Sequence, residues 1–214
     1  MRLILSLLRT AYRLLYHPFA WTYDLVAAVV SLGRWQDWVR SALPYLHGRV
    51  LEIGFGPGHL QVDLQAMGVS AFGVDESRQM AHHARHRLKK NGMLPALSRG
   101  YAQRLPFCGQ AFDCVAATFP SDFIFEAETL IEIYRVLLPG GRLVIVPMAW
   151  ISGSRPLERF MAWLLRLVGE TPGKPGQLPA AVRERLKQAG FSVESKLVEM
   201  KGSRVLVVVG TRGI

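Results

Sequence analysis

Residues 50–59, VLEIGFGPGH, constrain the chain more than any other stretch. An apolar run carrying Glu52 gives way to Gly54, Gly56 and Gly58 at alternate positions, and a helix opens near His59. Glycines are needed where the backbone takes positive φ or where a ligand must approach without a Cβ in the way. Strand and helix signals then alternate. VSAFGVD predicts a second strand, SRQMAHHARHRLKKNG a helix ending at Asn91-Gly92, residues 96–99 a weak third strand, and AFDCVAATF a fourth. A helix over 126–138 is closed by Pro139-Gly140-Gly141, and RLVIVPM gives a fifth strand. After a helix at 179–189, FSVESKL and RVLVVVGT form a hairpin turning through Gly202. Alternation at this spacing implies an α/β fold, with a mostly parallel sheet covered on both faces.

Composition narrows the classes. A chain of 214 residues, half of them hydrophobic and with ordinary glycine and proline usage, is neither collagen-like, low-complexity nor intrinsically disordered. The length suits one domain with some elaboration. The net charge of +10 sits in two places: residues 1–50 carry +4, and residues 78–104 carry +7 with no acid among them. Two cysteines, Cys108 and Cys114, make neither a disulfide framework nor a four-cysteine zinc site, and a cytoplasmic, reducing setting is expected. His82, His83 and His86 share one helix with Arg85, Arg87, Lys89 and Lys90, a field that repels cations. They read as a solvated basic face, and no metal is expected.

The glycine loop is not the dinucleotide fingerprint, because His59 stands where its third glycine belongs, and a Walker lysine is absent. Its E-x-G-x-G-x-G spacing resembles motif I of the class I S-adenosylmethionine-dependent methyltransferases. Further motifs follow in the family's order. GVDESRQM puts Asp75 at the end of the second strand, where a carboxylate can accept from both ribose hydroxyls. RLPFCGQAFDCV resembles the family's loop over adenine, with Asp113 opening the fourth strand, and YRVLLPGGRLVIV resembles its R-V-L-x-P-G-G turn. The resemblance spans about residues 49–147. It implies a Rossmann-like fold of seven strands, mostly parallel with a C-terminal antiparallel hairpin, helices on both faces and an N-terminal helical cap. The expected division is a cap at 1–48 and the S-adenosylmethionine-binding domain at 49–214. The implied cofactor contacts are Glu52, Gly54, Gly56, Gly58, Asp75, Glu76, Met80, Ala102, Gln103 and Thr118. One departure stands out: where the family often has G-D-A, this chain has Gly100-Tyr101-Ala102, so Tyr101 or Gln103 is left to meet adenine.

The resemblance implies methyl transfer by in-line displacement, which asks the protein mainly to align and desolvate the reactants. Thr118-Phe119-Pro120-Ser121-Asp122 follows the fourth strand and does not match the [DNS]-P-P-[YF] of base aminomethyltransferases. Asp122 is the candidate polar group near the acceptor, or else an N-cap for the helix that follows. Tyr23 and Asp24 are the alternatives from the N-terminal region.

Residues 1–16 place Arg2, Arg9 and Arg13 on one helical face and leucines on the other, too often charged for a membrane span. PFAWTYDLVAAVVSLGRWQDWVRSALP resembles the lead-in of quinone-biosynthesis methyltransferases and, more loosely, phospholipid N-methyltransferases. Together these imply a small hydrophobic acceptor, lipid or quinone-like, drawn from an anionic membrane by an enzyme peripheral on its inner face. A third helix is expected over 34–46, and an apolar helix at 156–168 is a second candidate pocket wall. Two other readings are an RNA-modifying methyltransferase tracking phosphates along 78–104, against which no RNA-binding appendage is present, and a non-catalytic nucleotide-binding module.

Overall fold

The first strand, β1 (Arg49–Ile53), is apolar on both sides because both faces are covered: Val50 packs to one side, Leu51 and Ile53 to the other. The computed structural model describes residues 31–153, 155–156, 158 and 175–213. Residues 1–30, with Tyr23 and Asp24, lie outside them, as does all of the apolar helix expected at 156–168 except Pro156 and Glu158.

Around β1 the chain lays down α1 (Trp35–Arg40), α2 (His59–Ala66), β2 (Ser70–Asp75), α3 (Arg78–Lys90), β3 (Leu97–Arg99) and β4 (Phe112–Thr118). Then follow α4 (Ala127–Val136), β5 (Leu137–Ile151), α5 (Ala180–Gln188), β6 (Phe191–Met200) and β7 (Ser203–Arg212). They form one seven-stranded sheet in the order β3-β2-β1-β4-β5-β7-β6. The first five strands run parallel; β7 is antiparallel to β5, and β6 to β7. The order reverses between β1 and β4, which opens a crevice beyond their C-terminal ends.

Two apolar layers hold the helices on the sheet. On one face α4 and α5 bury Leu130, Ile133 and Leu186 against Leu51, Val115 and Ile145. On the other, α1 and α2 bury Trp38, Val39, Leu60 and Leu64 against Val50, Ala116 and Val205. Each such side chain contributes roughly 1.5–3 kcal/mol when fully buried. A smaller cluster joins Ala84 and Leu88 of α3 to Phe55 of the glycine loop.

Three boundaries differ from the sequence expectation, each because of a proline or a long-range pairing. The helix expected over 34–46 is α1 followed by a separate 3-10 turn at Leu43–Tyr45. Pro44 has no N–H to give to the Arg40 carbonyl, so an α-helix cannot continue through it. The helix expected over 126–138 stops at Val136, because Leu137 already pairs with Phe112 in the sheet. The strand expected as RLVIVPM therefore starts five residues early and runs on to Ile151. Pro139-Gly140-Gly141 lies inside it as an irregularity in the β4 pairing. Pro147 falls at a second irregularity, between Ile145 and Met148, where β7 must skip a residue that cannot donate.

α1 is fixed at the far end of the sheet. Trp38 Nε1 donates to Ser203 Oγ at 2.9 Å, and the Arg34 guanidinium reaches Glu158 and the Gly202 carbonyl. No helix among the described residues is long and apolar enough to cross a membrane.

Candidate active site

The glycines after β1 serve different ends. Gly54, Gly56 and Gly58 all have left-handed φ, between 51° and 82°. At Gly58 a Cβ would lie 2.8 Å from the Ala84 Cβ, so this glycine lets α3 close on the loop. At Gly56 a Cβ would meet nothing within 4 Å, and at Gly54 only Phe123 Cζ at 3.9 Å. Those two positions keep backbone bare toward open space above the strand ends, and that is where a ligand can approach.

Asp75 ties the loop to α3. Its Oδ2 accepts from the Gly56 N–H at 2.9 Å and its Oδ1 from the Ser77 N–H at 2.8 Å. Burial pushes the Asp75 carboxyl up, against these two bonds. Each oxygen keeps a lone pair for a further donor. Ser77 in turn caps α3, accepting from the Met80 N–H at 3.2 Å. The Glu76 side chain is exposed, while its carbonyl accepts from Arg99 Nε at 3.0 Å.

Glu52 lies 2 % exposed on the floor of a cleft that Gly54, Gly56, His59, Trp35 and Thr118 also line. Burial pushes its carboxyl up to about 8, against a hydrogen bond from Gln61 Nε2 at 2.9 Å. At the C-terminal end of β4, Phe119 takes a left-handed φ of 48°, donates its N–H to the Val146 carbonyl at 2.7 Å, and sets its ring 4.3 Å from that of Trp35. Left-handed backbone at a bulky residue persists only where the surroundings over-determine it. Here the ring stack and the bond to β5 do so.

The other expected residues separate. Asp122 is not the N-cap of the next helix: it is the exposed first residue of a 3-10 turn, Asp122–Phe125, and α4 begins after Glu126. The turn is anchored by buried Ile124 and brings Phe123 over Gly54. Ala102 is buried and Met80 half-buried. Tyr101 is 63 % exposed, and Gln103 Nε2 donates to Glu126 Oε2 at 2.7 Å. Asp113 acts within the scaffold and away from the crevice. It accepts from the Arg49 N–H at 2.7 Å, filling the space beside Gly48 where a Cβ would strike it.

The loop at 104–108 is clamped from α4. Arg135 donates to the carbonyls of Leu105 and Phe107 at 3.1 and 2.8 Å, and Glu132 accepts from the Leu105 N–H at 2.8 Å. The hydrogen-bonded Arg135 guanidinium holds the Glu132 carboxyl below its ordinary range. The basic segment is similarly occupied. Arg85, Arg87 and Arg99 donate to the carbonyls of Leu97, Pro57 and Glu76, and Arg87, Lys89 and Lys90 stand in the last turn of α3, where the helix dipole favours cations.

Sequence reasoning named the stretch that holds Phe119 but gave no role to Phe119, Trp35 or Gln61 themselves; Gln61 gave no signal, since only the fold puts it beneath Glu52.

The profile of the methyltransferase domain family matches residues 51–145. A demethylmenaquinone methyltransferase of Thermus thermophilus is 33% identical over 207 residues, covering 86% of this chain and 94% of its own. This chain belongs to the S-adenosylmethionine-dependent methyltransferases. It spans less of another relative, the demethylmenaquinone methyltransferase of Symbiobacterium thermophilum: 33% identity over 160 residues, 70% of this chain and 61% of that one. A solved structure of S-adenosylmethionine-dependent methyltransferase type from Methanococcus maripaludis shares the fold, with a TM-score of 0.66 at 19% identity over 91% of this chain and 92% of that one.

The family's cofactor fits the residues present. S-adenosylmethionine carries a ribose diol, an adenine and an α-amino acid. The crevice offers bare backbone at Gly54 and Gly56, a fixed carboxylate at Asp75 and a buried carboxyl at Glu52.

Proposed function

We propose that the protein transfers a methyl group from S-adenosylmethionine to a ring carbon of a demethylmenaquinone-type quinol. The single observation that carries the reading is the 33% identity to the Thermus thermophilus demethylmenaquinone methyltransferase across 94% of that relative. The crevice supports it, being lined by Trp35, an apolar ring backed by Phe119.

In this reading Asp75 accepts from the ribose hydroxyls, Gly54 and Gly56 let the cofactor lie against backbone, and Ala102 and the clamped 104–108 loop close on adenine. Bound S-adenosylmethionine supplies a methyl group already activated on a sulfonium. Thr118 and the Phe119 turn, at the end of β4, hold the acceptor in line and exclude water. A quinol carbon becomes more nucleophilic as its hydroxyl loses a proton, and in this proposal Asp122, exposed at the start of the turn after β4, accepts it.

The test is methyl transfer from labelled S-adenosylmethionine to reduced demethylmenaquinone in detergent, read as product mass. Tight cofactor binding with no product on any quinol overturns the acceptor. Residues 1–16, with their cationic face, serve in this proposal to hold the enzyme on an anionic bilayer where such a quinol resides. Co-sedimentation with anionic vesicles is expected to be lost in high salt and on deletion of those residues. Retention in both cases overturns the membrane role.

A further inference from the structure

Gln61, the third residue of α2, is wholly buried, and nothing in the expected cofactor set requires it. Its Nε2 donates twice, to Glu52 Oε2 at 2.9 Å and to the Phe72 carbonyl at 3.0 Å. Its Oε1 is buried without a partner. A buried amide oxygen left unsatisfied costs roughly 1–3 kcal/mol, so a donor belongs beside it. Both bonds come from Nε2, which fixes the orientation of the amide, and Glu52 is the titratable group bonded to it. The Nε2 bond favours the carboxylate form of Glu52, while burial opposes it.

The surroundings favour the neutral acid. Asp75 from β2 and Asp63 from α2 both act on Glu52, and both are acidic. His59 from α2, Thr118 from β4 and Trp35 from α1 share its cleft. Arg87 of α3 is directed to the Pro57 carbonyl of the loop above. A permanent carboxylate at this depth therefore requires a cation, and the cleft is where one can arrive.

We infer that Gln61 is a positioning residue for the aminoacyl end of the cofactor: its amide orients the Glu52 carboxyl and steadies it as the carboxylate that faces the cofactor's ammonium in the complex. The inference rests on the cofactor reading proposed above. Binding breaks the Glu52 O–H bond and sends that proton to the buffer, and the carboxylate left behind pairs with the incoming ammonium.

The experiment is calorimetric titration of the full chain with S-adenosylhomocysteine between pH 6.5 and 8.5, in two buffers of different ionisation enthalpy. A carboxyl that must lose its proton near pH 8 gives affinity rising about 20-fold across that range, with about one proton released per site at the acid end. Glu52→Gln is expected to abolish both the slope and the release. Gln61→Leu removes the bond that lowers the Glu52 carboxyl, so its affinity is expected to be weak near neutrality and to recover at higher pH. A purely structural role for Gln61 would instead weaken binding by the same factor at every pH. A flat wild-type profile with no proton release overturns the inference while leaving the cofactor reading intact. No binding at any pH overturns the cofactor reading itself. Should Gln61→Leu not fold, the comparison of wild type with Glu52→Gln decides on its own.

Discussion

Burial holds the Glu52 carboxyl neutral through a pH range in which an exposed glutamate is ionised, and this has a consequence for stability. Its folded pKa, pushed up to about 8, lies above the ordinary value of 4.5. Between those values the unfolded chain has lost a proton that the folded chain keeps, so stability falls as pH rises through that window. Glu52→Gln keeps the shape and removes the titration. Its melting temperature is expected to match wild type near pH 5 and to exceed it increasingly toward pH 8, read by thermal denaturation of the ligand-free protein; a constant gap would show that Glu52 does not titrate there.

Among elements, the clamp from α4 to the 104–108 loop is where sequence motif and mechanism meet. Arg135 is the arginine of the R-V-L-x-P-G-G turn, and its three-way bonding to Glu132, Leu105 and Phe107 fixes a loop that has no secondary structure of its own. The pair is partly exposed, so screening limits its direct worth to about 1 kcal/mol or less. Arg135→Ala is expected to cost about that in urea denaturation at pH 7 and to weaken S-adenosylhomocysteine binding several-fold through the loosened loop. Because Arg135 depresses the Glu132 carboxyl, the stabilisation is present above the ordinary glutamate range and is lost as pH falls through the depressed value. Wild type and variant should therefore converge in acid. A gap that persists unchanged at low pH would assign the effect to packing rather than to charge.

For the whole molecule, the cofactor crevice draws on the glycine loop, β2, β4, α1 and the 3-10 turn after β4, so a ligand there bridges parts that separate on unfolding. S-adenosylhomocysteine at about 100 times its Kd is expected to stabilise the fold by about 2.7 kcal/mol, and so to raise the melting temperature by about 5–10 °C. Scanning fluorimetry measures this directly. Absence of any shift at that saturation would contradict binding to the folded state. The same scale accounts for the charge: the basic segment at 78–104 commits Arg85, Arg87 and Arg99 to carbonyls of its own fold.

The amino-acid sequence alone determined the alternation of strands and helices, the sheet's mostly parallel character, the glycine loop and the family motifs that follow it. These depend on local periodicity and on residues whose backbone demands are intrinsic, as at Gly58. Helix limits at Arg40 and Val136 were less legible, because Pro44 and the Leu137–Phe112 pairing set them. Only the tertiary structure decided that Trp35 stacks on Phe119, that Arg135 clamps a loop some thirty residues earlier, and that Gln61 lies beneath Glu52 with an oxygen unpaired. Those contacts arise from the register of β1, β2 and β4 and the helices packed on them. Sheet register is a property of the folded whole, and no window along the chain contains it.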